Sequence, residues 1–207
     1  MPVPRLWIKV CGMRTREAIE AAAQSGADAV GFVFHEGSPR NLTVESASAL
    51  QSCVPAAVAR VAVFLHPSQD LVDEVVAAIR PDWVQTDADD LATLRLPAGQ
   101  RVLPVLRSGR ARIAPLPKRC LLESARSGAG ERADWQEAAH ITALTEVVLA
   151  GGLDASNVGE AVRRVRPFGV DVSSGVESGR GVKDVVKIRD FIRAARAAPV
   201  RMIEESR

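Results

Sequence analysis

The stretch WIKVCGMRTREAIEAAAQSGADAVGFVF, residues 7–34, decides the fold class. It begins and ends with short apolar runs, 7–11 and 29–34, of the kind that forms buried strands. Between these runs, Thr15 is a suitable N-cap for a helix, and Gly26 suits the helix C-terminus. The stretch is therefore predicted to fold as a strand–helix–strand unit.

The same alternation of strand and helix patterns continues to the end of the chain. Strands are also predicted, from their mostly apolar character, at 59–65, 83–85, 101–106, 120–123, 146–150 and 169–172. Further helices are predicted after Thr43 and Ser68 and over 154–165 and 183–198, whereas 89–94 and 112–119 are expected to be short or irregular. Eight strand–helix units favour a single α/β domain, a closed (β/α)8 TIM barrel spanning residues 1–207.

An open, doubly wound α/β sheet is the alternative fold. That fold usually has fewer strands and a GxGxxG turn after the first strand. This chain reads CGMRTRE at that place, so the barrel is preferred.

Composition and charge argue against several classes of protein. Apolar residues make up 47% and charged residues 25% of the 207 residues, with a net charge of +2, as in an ordinary globular domain. Lys and Arg are scattered among Asp and Glu, so no nucleic-acid-binding face is predicted. No apolar run approaches the roughly 20 residues of a membrane span, and the N-terminus has no secretory pattern. A cytoplasmic protein with neither a membrane nor a nucleic-acid partner is expected.

The cysteines and histidines predict no metal site. Cys11, Cys53 and Cys120 are far apart and lack a metal-binding spacing, and the three histidines are equally dispersed. In a reducing compartment the cysteines are expected to be free thiols.

The barrel prediction also indicates where a site should lie, because active-site residues of barrels cluster at the C-terminal ends of the strands. Gly151 and Gly152 follow the seventh strand, and Ser173, Ser174 and Gly175 follow the eighth. Either group alone could be an ordinary tight turn. Together they favour a phosphate site, because backbone N–H groups in these two loops of a barrel bind phosphate. A phosphorylated small molecule is the predicted ligand.

Four segments carry a specific resemblance to a known family. They are KVCGMRTREAIEAAAQSGADAVGFVFHEGSPRNLT at 9–43, LAGGLDASNVGEAV at 149–162, VDVSSGVESGRGVKD at 170–184 and, more weakly, VAVFLHPS at 61–68. Together they resemble the phosphoribosylanthranilate isomerases, which are barrel enzymes of tryptophan biosynthesis. The resemblance extends from end to end, with a divergent middle.

The resemblance implies an Amadori rearrangement of N-(5-phosphoribosyl)anthranilate to 1-(2-carboxyphenylamino)-1-deoxyribulose 5-phosphate. A general acid protonates the furanose ring oxygen, and the ring opens to a Schiff base. A general base then removes the C2 proton of the sugar, and the enol-amine becomes the ketone. Neither a cofactor nor a metal is required.

The resemblance also assigns roles by position. Cys11 corresponds to the general base, and Lys9, on the same face of the same strand, would point into the barrel and favour the thiolate. Arg40, in SPRN, corresponds to the arginine that holds the anthranilate carboxylate. Gln85 is retained from the family pattern VQLHG and is assigned to substrate binding, as are Lys9 and the phosphate-loop residues.

Two departures from the family pattern lie at the predicted mouth. The family's general acid is an aspartate in a segment like LLDT, whereas this chain reads LLESA and has Glu123 there. Glutamic acid donates a proton as readily but is one methylene longer. The second departure, VQTDA for VQLHG, brings Asp87 to the mouth. Glu123 is the expected general acid, with Asp87 as the alternative.

Two other functions remain open from the sequence. A related isomerase acting on a phosphoribosyl aminoimidazole-carboxamide would share the chemistry, but would have an aspartate in place of Cys11 and a second phosphate site. A non-catalytic barrel that binds a phosphorylated ligand would account for the changed mouth. Both a monomer and a homodimer are compatible with the pattern.

Overall fold

Eight parallel strands close into a barrel in the computed structural model, which describes residues 5–109, 115–124 and 133–198. The first strand pairs with both the second and the eighth, which closes the sheet. The strands follow chain order around the barrel: β1 (Trp7–Cys11), β2 (Ala29–Phe34), β3 (Ala59–Phe64), β4 (Trp83–Asp87), β5 (Arg101–Arg107), β6 (Arg119–Glu123), β7 (Glu146–Leu149) and β8 (Gly169–Val172). The predicted barrel is confirmed, and each predicted strand is present within two residues of its expected ends.

Helices connect most of the strands on the outside of the barrel. They are α1 (Arg16–Gln24), α2 (Val44–Gln51), α3 (Gln69–Ile79), α4 (Ala88–Leu91), α5 (Trp135–Thr142), α6 (Val158–Val165) and α7 (Val185–Ala197). The hydroxyls of Thr15, Thr43 and Ser68 each accept a hydrogen bond from a backbone N–H of the first turn of α1, α2 and α3. These caps confirm the predicted helix starts, because each satisfies an N–H that has no partner within its helix.

Two local features were not predicted. Helix α5 is short and buries Ala138 and Ile141, so its periodic signal is weak. The other is a small antiparallel hairpin of β9 (Glu177–Gly179) and β10 (Val182–Lys183), which follows the 3-10 turn (Ser174–Val176) after β8. Strands of two or three residues are too short to show an alternating pattern. Part of the predicted irregular segment 112–119 lies outside the described residues.

The core has two apolar layers, one between the sheet and the helices and one inside the barrel. The inner layer consists of Leu103, Val105, Leu121, Val148 and Ala150. Trp7, Trp83 and Phe168 pack against it near the N-terminal ends of the strands, and the Arg119 guanidinium lies 3.7 Å from the ring centroid of Phe168. This end of the barrel is filled by side chains, as in other small barrels.

Among the helices of residues 5–109, 115–124 and 133–198, none is both long enough and apolar enough to span a membrane.

Candidate active site

Cys11 ends β1 and lies at the C-terminal rim of the barrel, with 6% of its surface exposed. Lys9, two residues earlier on the same strand, is fully buried. Its Nζ donates a hydrogen bond of 2.8 Å to Oδ1 of Asp171, its register partner on β8. The Lys9 ammonium also interacts with the Cys11 thiol. A thiol, an ammonium and a carboxylate therefore share one buried corner of the barrel.

The protonation of Cys11 is set by opposing influences. Burial raises the pKa of the Cys11 thiol more than the Lys9 ammonium lowers it, and the Asp171 carboxylate raises it further. The net pKa is above the ordinary value for cysteine, so the resting side chain is a thiol. The pKa of Lys9 is also raised, because Asp171 and Cys11 together outweigh the effect of burial. Lys9 therefore remains a cation beside the thiol.

The loops that follow β7 and β8 lie side by side at the same rim. Gly151 and Gly152 have φ values of +88° and +60°, in the left-handed region that favours glycine. A Cβ at residue 175 would lie 2.0 Å from the carbonyl oxygen of Leu153, so glycine is needed for the two loops to pack. Both loops, together with the end of β6, line one cleft: Glu123, Ser124, Ala150, Gly151, Gly152, Leu153, Asp171, Ser173 and Ser174.

Arg40 follows β2 and is buried against Glu177 at the start of the β9–β10 hairpin. Its Nε and Nη2 donate to the two oxygens of Glu177, over 2.7 Å and 2.9 Å. Such a paired contact fixes the plane of the guanidinium. Gly12 has a φ of +80°, and a Cβ there would lie 2.7 Å from Arg40 Cδ. Glycine at this position therefore lets Arg40 lie against the end of β1.

Lys183 connects this ion pair to the cysteine. Its Nζ donates to Oε1 of Glu177 and to the carbonyl oxygen of Ser173, each over 2.8 Å. Its charge lowers the pKa of Cys11. Burial lowers the pKa of Lys183 itself more than its contact with Glu177 raises it. Two buried ammonium groups, those of Lys9 and Lys183, thus favour the thiolate form of Cys11.

On the side of the mouth formed by β4, β5 and β6, one arginine joins two carboxylates. Arg107 Nη2 lies 2.5 Å from Asp87 Oδ1, and its Nε donates to Oδ2 over 3.2 Å. Its Nη1 donates to Oε1 of Glu123, which is its register partner on β6. The two acid candidates of the sequence are therefore both held by the same guanidinium.

Gln85 lies on β4 and is 6% exposed. Its Oε1 has no hydrogen-bond partner within the described part of the chain. Buried polar atoms rarely lack a partner. Gln85 therefore offers a buried acceptor that an N–H group of a ligand could satisfy.

The two remaining cysteines differ from Cys11. Cys120 is buried at the start of β6, and burial raises the pKa of its thiol to about 11. Cys53 is partly buried and packs against the core. Within the described ranges, no three His, Cys, Asp or Glu side chains are grouped so that they could hold a metal ion.

Residues 8–194 match the family model of N-(5'-phosphoribosyl)anthranilate (PRA) isomerase. The chain belongs to this family. A PRA isomerase of Rhodopseudomonas palustris (strain TIE-1) is 39% identical over 210 aligned positions, which cover 92% of this chain and 98% of the relative. The family predicted from the four motifs is therefore confirmed.

Solved structures of PRA isomerases superpose on the barrel. TrpF of Jonesia denitrificans is 34% identical, with a TM-score of 0.80 over 93% of this chain and 98% of its own. Another PRA isomerase, solved in complex with reduced 1-(o-carboxyphenylamino)-1-deoxyribulose 5-phosphate, is 28% identical, with a TM-score of 0.76 over 92% and 98% of the two chains. That relative binds a phosphorylated ligand.

Of the candidate residues named from the sequence, Glu123, Gly151, Gly152, Ser173 and Ser174 line the cleft of this PRA isomerase family barrel. Lys9 contacts the cleft residue Asp171, and Cys11 ends β1 on the neighbouring strand. Sequence reasoning assigned no role to Glu177, Lys183 or Arg107. Glu177 and Lys183 do lie within the motif VDVSSGVESGRGVKD, so a signal for them was present.

Proposed function

We propose that this chain catalyses the isomerisation of N-(5-phosphoribosyl)anthranilate to 1-(2-carboxyphenylamino)-1-deoxyribulose 5-phosphate, with Cys11 as general base and Glu123 as general acid. The observation that carries the proposal is the buried thiol of Cys11 beside the Lys9 ammonium, at the rim that also carries the two glycine-rich loops. A free cysteine in apolar surroundings is usually inert. The positive charges of Lys9 and Lys183 favour ionisation of the Cys11 thiol.

Cys11 must lose its proton before it can accept one from C2 of the sugar. Lys9 and Lys183 both favour the thiolate, whereas burial and Asp171 oppose it. The thiolate that does form is strongly basic, because its conjugate acid has a raised pKa. A small fraction of reactive thiolate, stabilised by Lys9, can therefore remove the proton.

Glu123 is proposed to deliver the other proton. It lines the cleft together with the loops after β7 and β8. Asp87 is not among the residues that line this cleft, and Arg107 contacts both of its oxygens. The position of Glu123 in the cleft lining favours it over Asp87 as the group that faces the furanose ring oxygen.

The ends of the substrate are assigned to groups with matching chemistry. The phosphate would bind at the backbone of Gly151 and Gly152 and of residues 173–175, where small residues allow close approach. The anthranilate carboxylate would pair with Arg40, whose Nη1 is not used in the contact with Glu177. Gln85 Oε1 is available to accept a hydrogen bond from the anthranilate amine.

We further propose a cytoplasmic enzyme that acts as a monomer or homodimer and needs neither a cofactor nor a metal. The free cysteines suit a reducing compartment. Acid–base chemistry by Cys11 and Glu123 accounts for both proton transfers without a bound metal.

The test is a continuous fluorescence assay in which phosphoribosylanthranilate is generated and its loss is followed after the purified protein is added. The proposal predicts turnover with kcat on the order of 1 per second or more, as is typical of enzymes. Loss of substrate at the uncatalysed rate would instead favour a non-catalytic barrel that binds a phosphorylated ligand.

A further inference from the structure

Arg107 is a buried cation at the mouth that takes no part in the proton transfers proposed above. Its side chain is 8% exposed, and the carboxylates of Asp87 and Glu123 beside it are 9% and 14% exposed. Strand β5 lies between β4 and β6, so the three charged groups form a chain across three neighbouring strands.

The contact with Asp87 fixes the orientation of Arg107. Two nitrogens of the guanidinium, Nε and Nη2, meet the two oxygens of Asp87. This paired geometry fixes the guanidinium plane more strictly than a single hydrogen bond would. The remaining nitrogen, Nη1, then points at Oε1 of Glu123.

Glu123 needs such a support if it is to act as the acid. A glutamate side chain has one more rotatable bond than an aspartate, so its carboxyl group samples more positions. A displacement on the order of 1 Å at a reacting group costs about a hundredfold in rate. A fixed cation beside Oε1 restricts where this carboxyl group can lie.

Resting on the proposed function, we propose that Arg107 is a positioning residue, anchored by Asp87, that fixes the carboxyl group of Glu123 at the edge of the substrate cleft. The two contacts have separate tasks. Asp87 orients the guanidinium, and the guanidinium orients the acid. A buried charge cluster contributes little net stability in general, so stability alone is a weak reason for this arrangement.

The first test is the steady-state kinetics of Arg107→Gln with phosphoribosylanthranilate. The variant is expected to lose about a hundredfold in kcat with KM within about threefold of wild type, because a positioning defect acts on the transition state. Arg107→Lys should recover about tenfold of that loss, since it keeps the charge but cannot hold Asp87 with two nitrogens. Glu123→Asp should lose about tenfold in kcat, because the shorter side chain cannot reach both Arg107 and the substrate.

Arg119→Gln is the matched control. Arg119 pairs with Glu146 and lies over Phe168 near the opposite end of the barrel, so its loss should lower stability but leave kcat unchanged. If Arg107→Gln kept kcat within about twofold while the wild type turned over, this inference would be overturned and the proposed function would stand. An inactive wild type would overturn both.

Asp87→Asn keeps the inference testable if the Arg107 variants do not fold. Asparagine has nearly the same shape but no charge to anchor the guanidinium. We expect kcat to fall by about tenfold at unchanged KM, and wild-type kcat in this variant would overturn the inference.

Discussion

Gly31 on β2 leaves the space that the Cys11 thiol occupies. The two residues are register partners on neighbouring strands, and a Cβ at residue 31 would lie 2.9 Å from Cys11 Sγ. The same atom would lie 3.2 Å from Cε of Lys9. Gly31 thus allows the thiol and the ammonium to share one corner of the barrel.

Gly31→Ala should therefore displace the thiol. We expect kcat to fall by about a hundredfold, since a shift on the order of 1 Å has that effect. Overpacking of the barrel should cost roughly 1–3 kcal/mol of unfolding free energy. Assay kinetics and urea denaturation measure the two effects.

Gly159→Ala in α6 is the control for that substitution. A Cβ there would lie 3.5 Å from Arg163 Nη1, an ordinary contact, so the helix should gain up to about 1 kcal/mol. Equal kcat in wild type and Gly31→Ala would mean that the position of the thiol does not matter for turnover.

The pH dependence of kcat/KM should report the balance of charges around Cys11. Because the proposed acid must stay protonated while Cys11 is ionised, kcat/KM should fall once the pH exceeds the pKa of the Cys11 thiol, which burial raises. Lys9→Met removes a cation and should shift this fall to higher pH. Asp171→Asn removes an anion and should shift it to lower pH.

Opposite shifts in the two variants would show that the charges act on the pKa of Cys11, because a general disruption of the site would not shift the pH dependence in opposite directions. The measurement is kcat/KM from about pH 6 to about pH 10 for the wild type and both variants. A shift in the same direction for Lys9→Met and Asp171→Asn would contradict the proposed ionisation of Cys11.

The contact between Arg40 and Glu177 should make the protein sensitive to acid. Burial raises the pKa of Glu177, but hydrogen bonds from Arg40 and Lys183 outweigh it and lower the pKa to about 2. A depressed pKa stabilises the fold above the unfolded-state value, and this stability is lost as the pH falls toward the folded-state value. The window therefore runs from the ordinary value of 4.5 down to about 2.

Glu177→Gln should lower Tm at neutral pH and flatten its dependence on pH within that window. Thermal melts at a series of pH values measure both effects. Glu160→Gln is the control, because its pair with Arg164 on α6 is exposed and should contribute little. Identical acid sensitivity in wild type and Glu177→Gln would rule out Glu177 as the responsible group.

Arg40→Lys tests the assignment of the anthranilate carboxylate. Lysine keeps the charge but lacks the paired geometry, so KM should rise by about tenfold or more with a smaller change in kcat. If the inhibition constant of inorganic phosphate rose by as much as the KM of the substrate, Arg40 would lie at the phosphate end instead. Substrate titration and phosphate inhibition together separate these outcomes.

Most of the fold can be predicted from the sequence, because the barrel strands are continuous apolar runs that are recognisable one by one. Residues 29–34, for example, are all buried in the structure, and a continuous apolar run is the pattern of a strand covered on both faces. The spacing of Lys9 and Cys11 likewise places both side chains on one face. Local sequence patterns are enough to predict a helix or strand when one or both of its faces are buried.

The parts that were not predicted depend on contacts between distant residues. Glu177 lies 137 positions from Arg40, and its hairpin is too short to show a pattern. The raised pKa of Cys11 follows from a balance of burial and charges that the order of residues does not contain. Arg107 is an intermediate case, because strand order alone puts its strand between those of Asp87 and Glu123.

The most direct test of the account compares Cys11→Ala with the wild type in turnover and in binding. The substitution should abolish detectable isomerisation and leave the Kd for reduced 1-(o-carboxyphenylamino)-1-deoxyribulose 5-phosphate, measured by calorimetry, within about threefold. Cys53→Ala, which removes a partly buried thiol outside the cleft, should retain full activity. If Cys11→Ala kept most of the wild-type kcat, Cys11 would not be the general base.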